Sequence, residues 1–337
     1  MDGKNCSDKT GIVKINGYKF FELKNLLKKK VQNKQNIILC FPAIKTESVK
    51  VLSNEIKMAK RLQNIGFLDI IAVAYDGEKD DPIPKMARRI GVTLVMTREV
   101  GTKDMNKGVL GTKGKGTNMR KFSYFAIKNL FKGKLKNNLV GFLDADISEK
   151  AFGEHYILGL FGPLISKPSK IRLVKLVYRR PKGFGRVNKL LCHPLMSVID
   201  HPKLKVLQFI PYITSGEVAM DGKLIAELKF STGYSAEVYT LMQFVLDKRF
   251  GSSKLELTNV GFFDHKHQRF DDLRFMSFSI LRVFFRTLKE YKLLSFKNGT
   301  AISNTFRSSG VSPPGYQIQH TYKKLDNKTY RPLKEMI

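Results

Sequence analysis

An apolar run, Leu139-Val140-Gly141-Phe142-Leu143, ends in Asp144-Ala145-Asp146. Along a strand residues i and i+2 share a face, so this spacing predicts two carboxylates converging at the strand's end. Paired carboxylate oxygens suit a hard divalent cation such as Mg²⁺ or Mn²⁺. Taken alone, the triplet also fits an ordinary strand-end turn, where Asp is common. One helix earlier, residues 101–117 read GTKDMNKGVLGTKGKGT, with Lys113 and Lys115 set among glycines. Such a segment can bring backbone N–H groups and ammonium groups to phosphate oxygens, although it also fits a solvated loop. It is not a P-loop, because the G-x-x-x-x-G-K-[ST] pattern is missing. Arg179 to Lys189 holds five basic residues in eleven, with Gly183 and Gly185 around Phe184. That composition fits a loop shaped for a small anion, and equally a solvated or nucleic-acid-binding patch. Asp264-His265-Lys266-His267 brings two imidazoles close together, where one can complete a metal shell or simply be hydrogen-bonded. Glu217 and Glu237 each follow a glycine turn and fit carboxylates at a helix start.

The elements that must position these residues follow from apolar periodicity. Residues 37–43, IILCFPA, predict a strand, and residues 49–65 predict a helix through Val51, Leu52, Ile56, Met58, Ala59 and Leu62. Ile70 to Ala74 predicts a second strand running into the polar turn Tyr75-Asp76-Gly77-Glu78-Lys79-Asp80-Asp81. A helix, a strand over Val92 to Met96, a helix from Asn118 to Leu130 and the Asp-terminated strand continue the alternation. The pattern then becomes mixed: a strand over 173–178, a helix from Leu190 to Ile199, and helices after Tyr234 and after Asp271. Alternation with this spacing argues for an α/β fold whose parallel sheet is covered on both faces and binds ligands at the strands' carboxyl ends. The tail from Asn304 carries Pro313-Pro314-Gly315 and few apolar clusters, and is expected to be irregular.

Composition narrows the class. The chain has 337 residues, 42% apolar and 26% charged, enough to bury a sizeable core, which excludes a peptide, a fibrous repeat and a wholly disordered chain. Its 60 Lys and Arg against 29 Asp and Glu give a net charge of +31, favouring polyanions, anionic surfaces or small anionic substrates. Cys6, Cys40 and Cys192 are odd in number and far apart, which argues against a disulfide framework or thiolate zinc and for a reducing compartment. The polar start MDGKNCSDKTG lacks the apolar stretch of an export signal, and the runs 152–165 and 275–285 are interrupted by Glu154, His155 and Arg282. A soluble, cytoplasmic protein is expected.

Taken in order, the pieces resemble one family, the retaining GT-A glycosyltransferases that include glucosyl-3-phosphoglycerate synthase and its mannosyl relatives. The shared series runs Phe41-Pro42-Ala43 with Glu47, Gly77 and Asp80, Gly114-Lys115-Gly116, Phe142-Leu143-Asp144-Ala145-Asp146 and Gly162-Pro163-Leu164. It continues with Leu173-Val174-Lys175, Tyr178-Arg179-Arg180-Pro181, Gly185-Arg186-Val187, Pro194-Leu195, Gly216-Glu217, Gly233-Tyr234 with Glu237, and Gly261 before His265. The likeness covers about residues 36–290, and its specificity lies in order and spacing rather than in any one element. The chain departs from the pattern at Lys45-Thr46, at Tyr75 in place of an aspartate, at Asn188 in place of a threonine and at His267 in place of an asparagine.

The resemblance implies a GT-A fold: an N-terminal extension over 1–35, a Rossmann-like nucleotide-sugar-binding half over 36–165, a smaller acceptor-binding α/β region with C-terminal helices over 166–300, and the tail over 301–337. It implies a metal-dependent hexosyltransferase that moves glucose from a nucleotide-sugar, UDP-glucose, to 3-phosphoglycerate, giving a compatible-solute precursor, and a homodimer. Pro42, Ala43, Glu47, Asp76 and Gly77 would hold the base, Lys115 the diphosphate, and Asp146 with His265 the metal. Asp144 would lie near the ribose or sugar and Glu237 beside the transferring sugar. Arg186, Val187, Asn188 and His267 would hold the acceptor phosphate. A diphosphate leaving group needs charge neutralisation, which a divalent ion and a lysine supply together, so no dedicated general acid is required. GDP-mannose as donor, or another small acid or a lipid phosphate as acceptor, remains an alternative within the same fold. A basic nucleic-acid-binding protein is the alternative of another class; no RRM, KH, helix-turn-helix or zinc signature supports it.

Overall fold

The computed structural model describes residues 6–7, 13–101, 114–168, 170–180, 185–199, 201–251, 253–264, 270–295, 302, 305–312, 317–324 and 329–336. Ten strands come first in the chain: β1 (Cys6–Ser7), β2 (Val13–Gly17), β3 (Asn36–Ala43), β4 (Ile70–Tyr75), β5 (Thr93–Met96), β6 (Asn138–Phe142), β7 (Ile171–Arg179), β8 (Val218–Asp221), β9 (Phe230–Ser231) and β10 (Lys254–Phe262). All except β9 join one sheet in the order β1-β2-β10-β7-β8-β6-β3-β4-β5. Pairing is parallel from β6 through β3 and β4 to β5, and again from β7 through β10 to β2. Between these two parallel blocks lies β8, antiparallel to both β6 and β7. The reversed strand puts the start of β8 at the same sheet edge as the carboxyl ends of β6 and β7.

Period-2 alternation divides the core between the sheet's two faces. Ile38 and Cys40 of β3, Ala72 and Ala74 of β4, and Val140 and Phe142 of β6 enter one cluster. Their neighbours Ile37, Leu39 and Phe41, Ile71 and Val73, and Leu139 enter the other. A sheet buried on both faces reads as nearly continuous apolar runs, as these strands do. The covering helices are α1 (Leu23–Gln32), α2 (Val49–Asn64), α3 (Pro82–Ile90), α4 (Lys115–Phe125), α5 (Glu154–Ser166), α6 (His193–Val198), α7 (Pro202–Lys205), α8 (Gly222–Glu227), α9 (Ala236–Leu246) and α10 (Phe270–Glu290). In α2 the expected Leu52, Ile56, Ala59 and Leu62 are buried, and the Ser48 hydroxyl accepts from the Val51 N–H at 3.4 Å as the N-cap.

Three expectations are corrected. The helix expected from Asn118 begins at Lys115 and passes at Ala126 into a wider π turn ending at Leu130. Gly116 fits this first turn because a Cβ there would stand 2.7 Å from the Ser231 carbonyl, so only glycine lets α4 pack this tightly on β9. The tail is not irregular: β11 (Thr305–Ser312) and β12 (Gln317–Lys324) pair in antiparallel register, and β13 (Thr329–Tyr330) pairs with β9. Pro313-Pro314-Gly315 separates two stretches of strand-compatible residues, and such a cluster marks a hairpin as readily as disorder. The last residues are anchored as well: Leu333 is fully buried, and the buried Arg120 of α4 donates to the Arg331 carbonyl at 2.8 Å with its guanidinium 4.8 Å from the Tyr330 ring centroid. Finally, Glu217 does not start a helix; it is fully buried immediately before β8, whereas Glu237 does lie in the first turn of α9.

Candidate active site at the carboxyl edge of the sheet

A cavity of about 580 Å³ opens at this edge. Its walls come from the segments that leave β3, β4, β6 and β7, from the segment that enters β8, and from the first turns of α4, α9 and α10. It brings together Pro42, Glu47, Asp76, Gly77, Lys115, Asp144, Asp146, Arg186, Val187, Asn188 and Glu237, all singled out in the sequence. Ala43 is fully buried beneath them, and its carbonyl accepts from the Asn118 amide at 3.0 Å. Lys113, His265 and His267 lie outside the described residues.

Asp144 and Asp146 face the same cavity as expected, but β6 ends at Phe142, so a turn rather than a strand's pleat aims them. Lys115 is ion-paired with Asp144 and stands 3.5 Å from Glu237, bridging the two carboxylates. Its approach depends on Gly216, where a Cβ would overlap the Lys115 ammonium and stand 2.7 Å from Asp144 Oδ1. Gly216→Ala should therefore displace Lys115 and lower kcat by at least about tenfold, the scale of one charge-assisted contact. Steady-state kinetics beside a thermal unfolding curve check this, and unchanged kcat in a folded variant would place Lys115 elsewhere.

A buried polar chain sets one side of the cavity. Thr97 donates to the Asn118 amide oxygen at 2.8 Å, Asn118 donates to Ala43, and Asp76 accepts from the Gly114 N–H at 2.9 Å, tying α4 to the ends of β3 and β4. Tyr75, at the departure from the family pattern, turns its hydroxyl to Asp81 at 2.7 Å. On the opposite side the Asn188 amide donates to Thr214 Oγ1 at 2.7 Å and accepts from its N–H at 3.3 Å, stitching two cavity walls together.

Four groups to which the sequence assigned no individual role also belong here. Arg180 lines the cavity with its guanidinium 4.8 Å from the ring centroids of Tyr212 and Phe263 and 5.1 Å from that of Tyr178, whose hydroxyl it reaches at 2.9 Å. Tyr178 donates in turn to Glu217 at 2.8 Å; burial, then the Glu217 carboxylate, push its phenol well above the usual range. Lys175, fully buried on β7, donates to the Ser215 carbonyl. Burial pulls its pKa down to about 8, against the opposing pull of Glu217 and Glu237. Glu55 of α2 is buried behind the Asp144–Asp146 turn and accepts from the Ile147 N–H at 2.8 Å, and burial, then Asp146, push its carboxyl well upward. Arg180, Lys175 and Glu55 each interrupt an apolar pattern or follow one directly, and that placement is the signal that could have found them.

Two carboxylates on one turn, lining a cavity that also carries Lys45, Arg98, Lys115, Arg180 and Arg186, form a donor set suited to a hard divalent cation beside a phosphorylated ligand. Among the described residues no group of three His, Cys, Asp or Glu side chains could hold a metal unaided. Further oxygen or nitrogen ligands would have to join those of this turn.

No family model matches the chain. Among curated proteins it is 28% identical over 284 residues to glucosyl-3-phosphoglycerate synthase of Petrotoga mobilis, covering 81% of this chain and 79% of that protein. It is 31% identical over 158 residues to glucosyl-3-phosphoglycerate synthase of Mycobacterium tuberculosis, covering 43% and 45%. Its fold is that of the crystal structure of the latter enzyme in complex with Mn²⁺, uridine diphosphate and phosphoglyceric acid, with a TM-score of 0.73 at 22% identity over 94% of this chain and 96% of that one. The mannosyl-3-phosphoglycerate synthase of Rubrobacter xylanophilus superposes with a TM-score of 0.77 at 20% identity, over 96% of each chain. In sequence over four-fifths of its length and in its GT-A fold, the chain resembles the glucosyl-3-phosphoglycerate synthases.

Proposed function

We propose that this chain is a metal-dependent, retaining glucosyltransferase that moves glucose from UDP-glucose to 3-phosphoglycerate. The observation that carries this reading is one cavity in which Lys115 bridges Asp144 and Glu237 on one side while Arg186 and Arg180 line another. Pro42, Glu47, Asp76 and Gly77 hold the base over the buried Ala43, and Lys115 takes the diphosphate. Asp146 and His265 hold Mg²⁺ or Mn²⁺, with Asp144 near the ribose or sugar. The metal, when bound, neutralises charge on the departing diphosphate oxygen. Lys115 adds a fixed positive charge beside that oxygen, and Glu237, held at the first turn of α9, faces the transferring sugar. The acceptor hydroxyl attacks from the face that the diphosphate leaves, which keeps the anomeric configuration. Residues 166–300 supply the acceptor side, through Arg186, Val187, Asn188 and His267.

The test is a panel of UDP- and GDP-sugars crossed with 3-phosphoglycerate, glycerate and other small phosphorylated acids, followed by nucleotide release and product mass. Glucosyl-3-phosphoglycerate from UDP-glucose is expected; preference for GDP-mannose would move the chain to the mannosyl side of the family. Turnover with none of these donors would end the reading.

Arg186 reads the acceptor phosphate, because a guanidinium meets phosphate oxygens with two parallel hydrogen bonds where lysine offers a point charge. Arg186→Lys should raise the 3-phosphoglycerate KM about tenfold and leave UDP-glucose KM unchanged. Equal effects with glycerate and 3-phosphoglycerate would remove Arg186 from that role. A homodimer in the cytoplasm completes the reading, to be checked by light scattering and cell fractionation. Among the described residues no helix is long and apolar enough to cross a membrane.

A further inference from the structure

The turn that presents Asp144 and Asp146 has two backbone N–H groups just beyond it. Ser148 N–H donates to the Asp264 carbonyl at 2.9 Å, tying the turn to the end of β10. Ile147 N–H, next to Asp146, donates to Glu55 Oε1 at 2.8 Å, and Glu55 is 1% exposed. Glu55 occupies a position on the apolar stripe of α2, between Leu52, Ile56 and Ala59, where a buried carboxyl is costly. Its second oxygen, Oε2, is buried with no hydrogen-bond partner. A group kept at that cost, with its one bond on the residue following Asp146, has a task at this turn. Lining the active-site cavity is not that task, for Glu55 borders instead a separate cavity of about 380 Å³ on the outer side, with Val51, Met58, Arg61 and Phe152.

We propose that Glu55 is a positioning residue that fixes the Asp146 turn from behind by accepting the Ile147 N–H, and so sets the affinity of the site for its divalent cation. The inference rests on the proposed metal role of Asp146. Removing the acceptor frees the peptide between Asp146 and Ile147 to rotate, which swings the Asp146 carboxylate away from its partners. Partners of this kind behind metal ligands change metal affinity by about 10- to 100-fold.

The choice of variant follows from the second cavity. Glu55→Ala would open the site to that cavity, from which water could accept the Ile147 N–H. Glu55→Met keeps the volume, excludes water and has no strong acceptor, while Glu55→Gln keeps a carbonyl oxygen at the same reach. Mn²⁺ affinity is read by electron paramagnetic resonance on the full chain, with and without UDP, so that catalysis is not the readout. Glu55→Met is expected to weaken Mn²⁺ binding at least about tenfold and Glu55→Gln by no more than about threefold. Exchange of the Ile147 amide is followed in the wild-type protein, which needs no variant to fold; strong protection is expected. Mn²⁺ binding by folded Glu55→Met as tight as wild type, equal weakening in both variants, or an unprotected Ile147 amide would each overturn the proposal. Wild-type protein that binds no Mn²⁺ would instead overturn the metal reading on which it rests.

Discussion

Asp146→Ala should abolish sugar transfer, lowering kcat/KM by at least about 10³-fold, or about 4 kcal/mol of transition-state stabilisation. Added Mg²⁺ or Mn²⁺ should not restore it. Asp144 is already ion-paired with Lys115, so one carboxylate of the turn is engaged with a fixed cation while Asp146 presents the other to the same cavity. A nucleotide-sugar brings its own phosphate oxygens, and a divalent ion must be gripped by the protein at one side to neutralise them at the other. Losing that grip removes both the orientation of the diphosphate and the charge that stabilises its departure. In the wild type, EDTA should stop turnover and Mn²⁺ should restore it. A manganese titration of both proteins at saturating UDP-glucose is the measurement. Full activity in metal-free wild type, or recovery of Asp146→Ala at high Mn²⁺, would show that the doublet is only the strand-end turn that its sequence also permits.

What the sequence exposed is what local pattern controls. Strands β3, β4 and β6 are buried on both faces, so unbroken apolar runs announce them, and the polar residues at their carboxyl ends line one side of the cavity. The helix α2 was visible because Leu52, Ile56, Ala59 and Leu62 repeat with helical spacing. The reversed strand β8 was not: Val218–Asp221 is four residues long, and its direction is decided by pairing with β6 and β7, which lie far away in the chain. That reversal carries Gly216 to Asp144 and Lys115, and Glu217 to Tyr178, so the contact between Gly216 and Lys115 has no local trace. Nor could spacing show that Arg120 would be buried, since its partners Tyr330 and Arg331 are at the other end of the chain. Glu55 and Lys175 could have been found as charged residues standing inside apolar patterns, a placement that needs a compensating role.

Lys115→Met should weaken UDP binding by about tenfold or more, leave uridine binding unchanged, and lower kcat by about 100-fold. The first figure follows from a charge-assisted contact of about 1.5–3 kcal/mol to the diphosphate. The second adds the loss of a positive charge where negative charge develops on the leaving oxygen. The local consequence is also electrostatic: the ammonium stands between Asp144 and Glu237, and without it two carboxylates share one wall of the cavity with no cation between them. Lys115→Arg should recover little, although it keeps the charge. Gly216 leaves space for an ammonium but a Cβ is already too large there, and a planar guanidinium is bulkier than an ammonium and prefers a paired carboxylate to a point contact. Isothermal titration with UDP and with uridine, beside steady-state kinetics, separates these effects. Equal losses for the nucleotide and the nucleoside would mean that Lys115 shapes the cavity rather than touching phosphate. A Lys115→Arg enzyme as active as wild type would mean that charge alone is required, and that the narrow approach past Gly216 has no part in placing it.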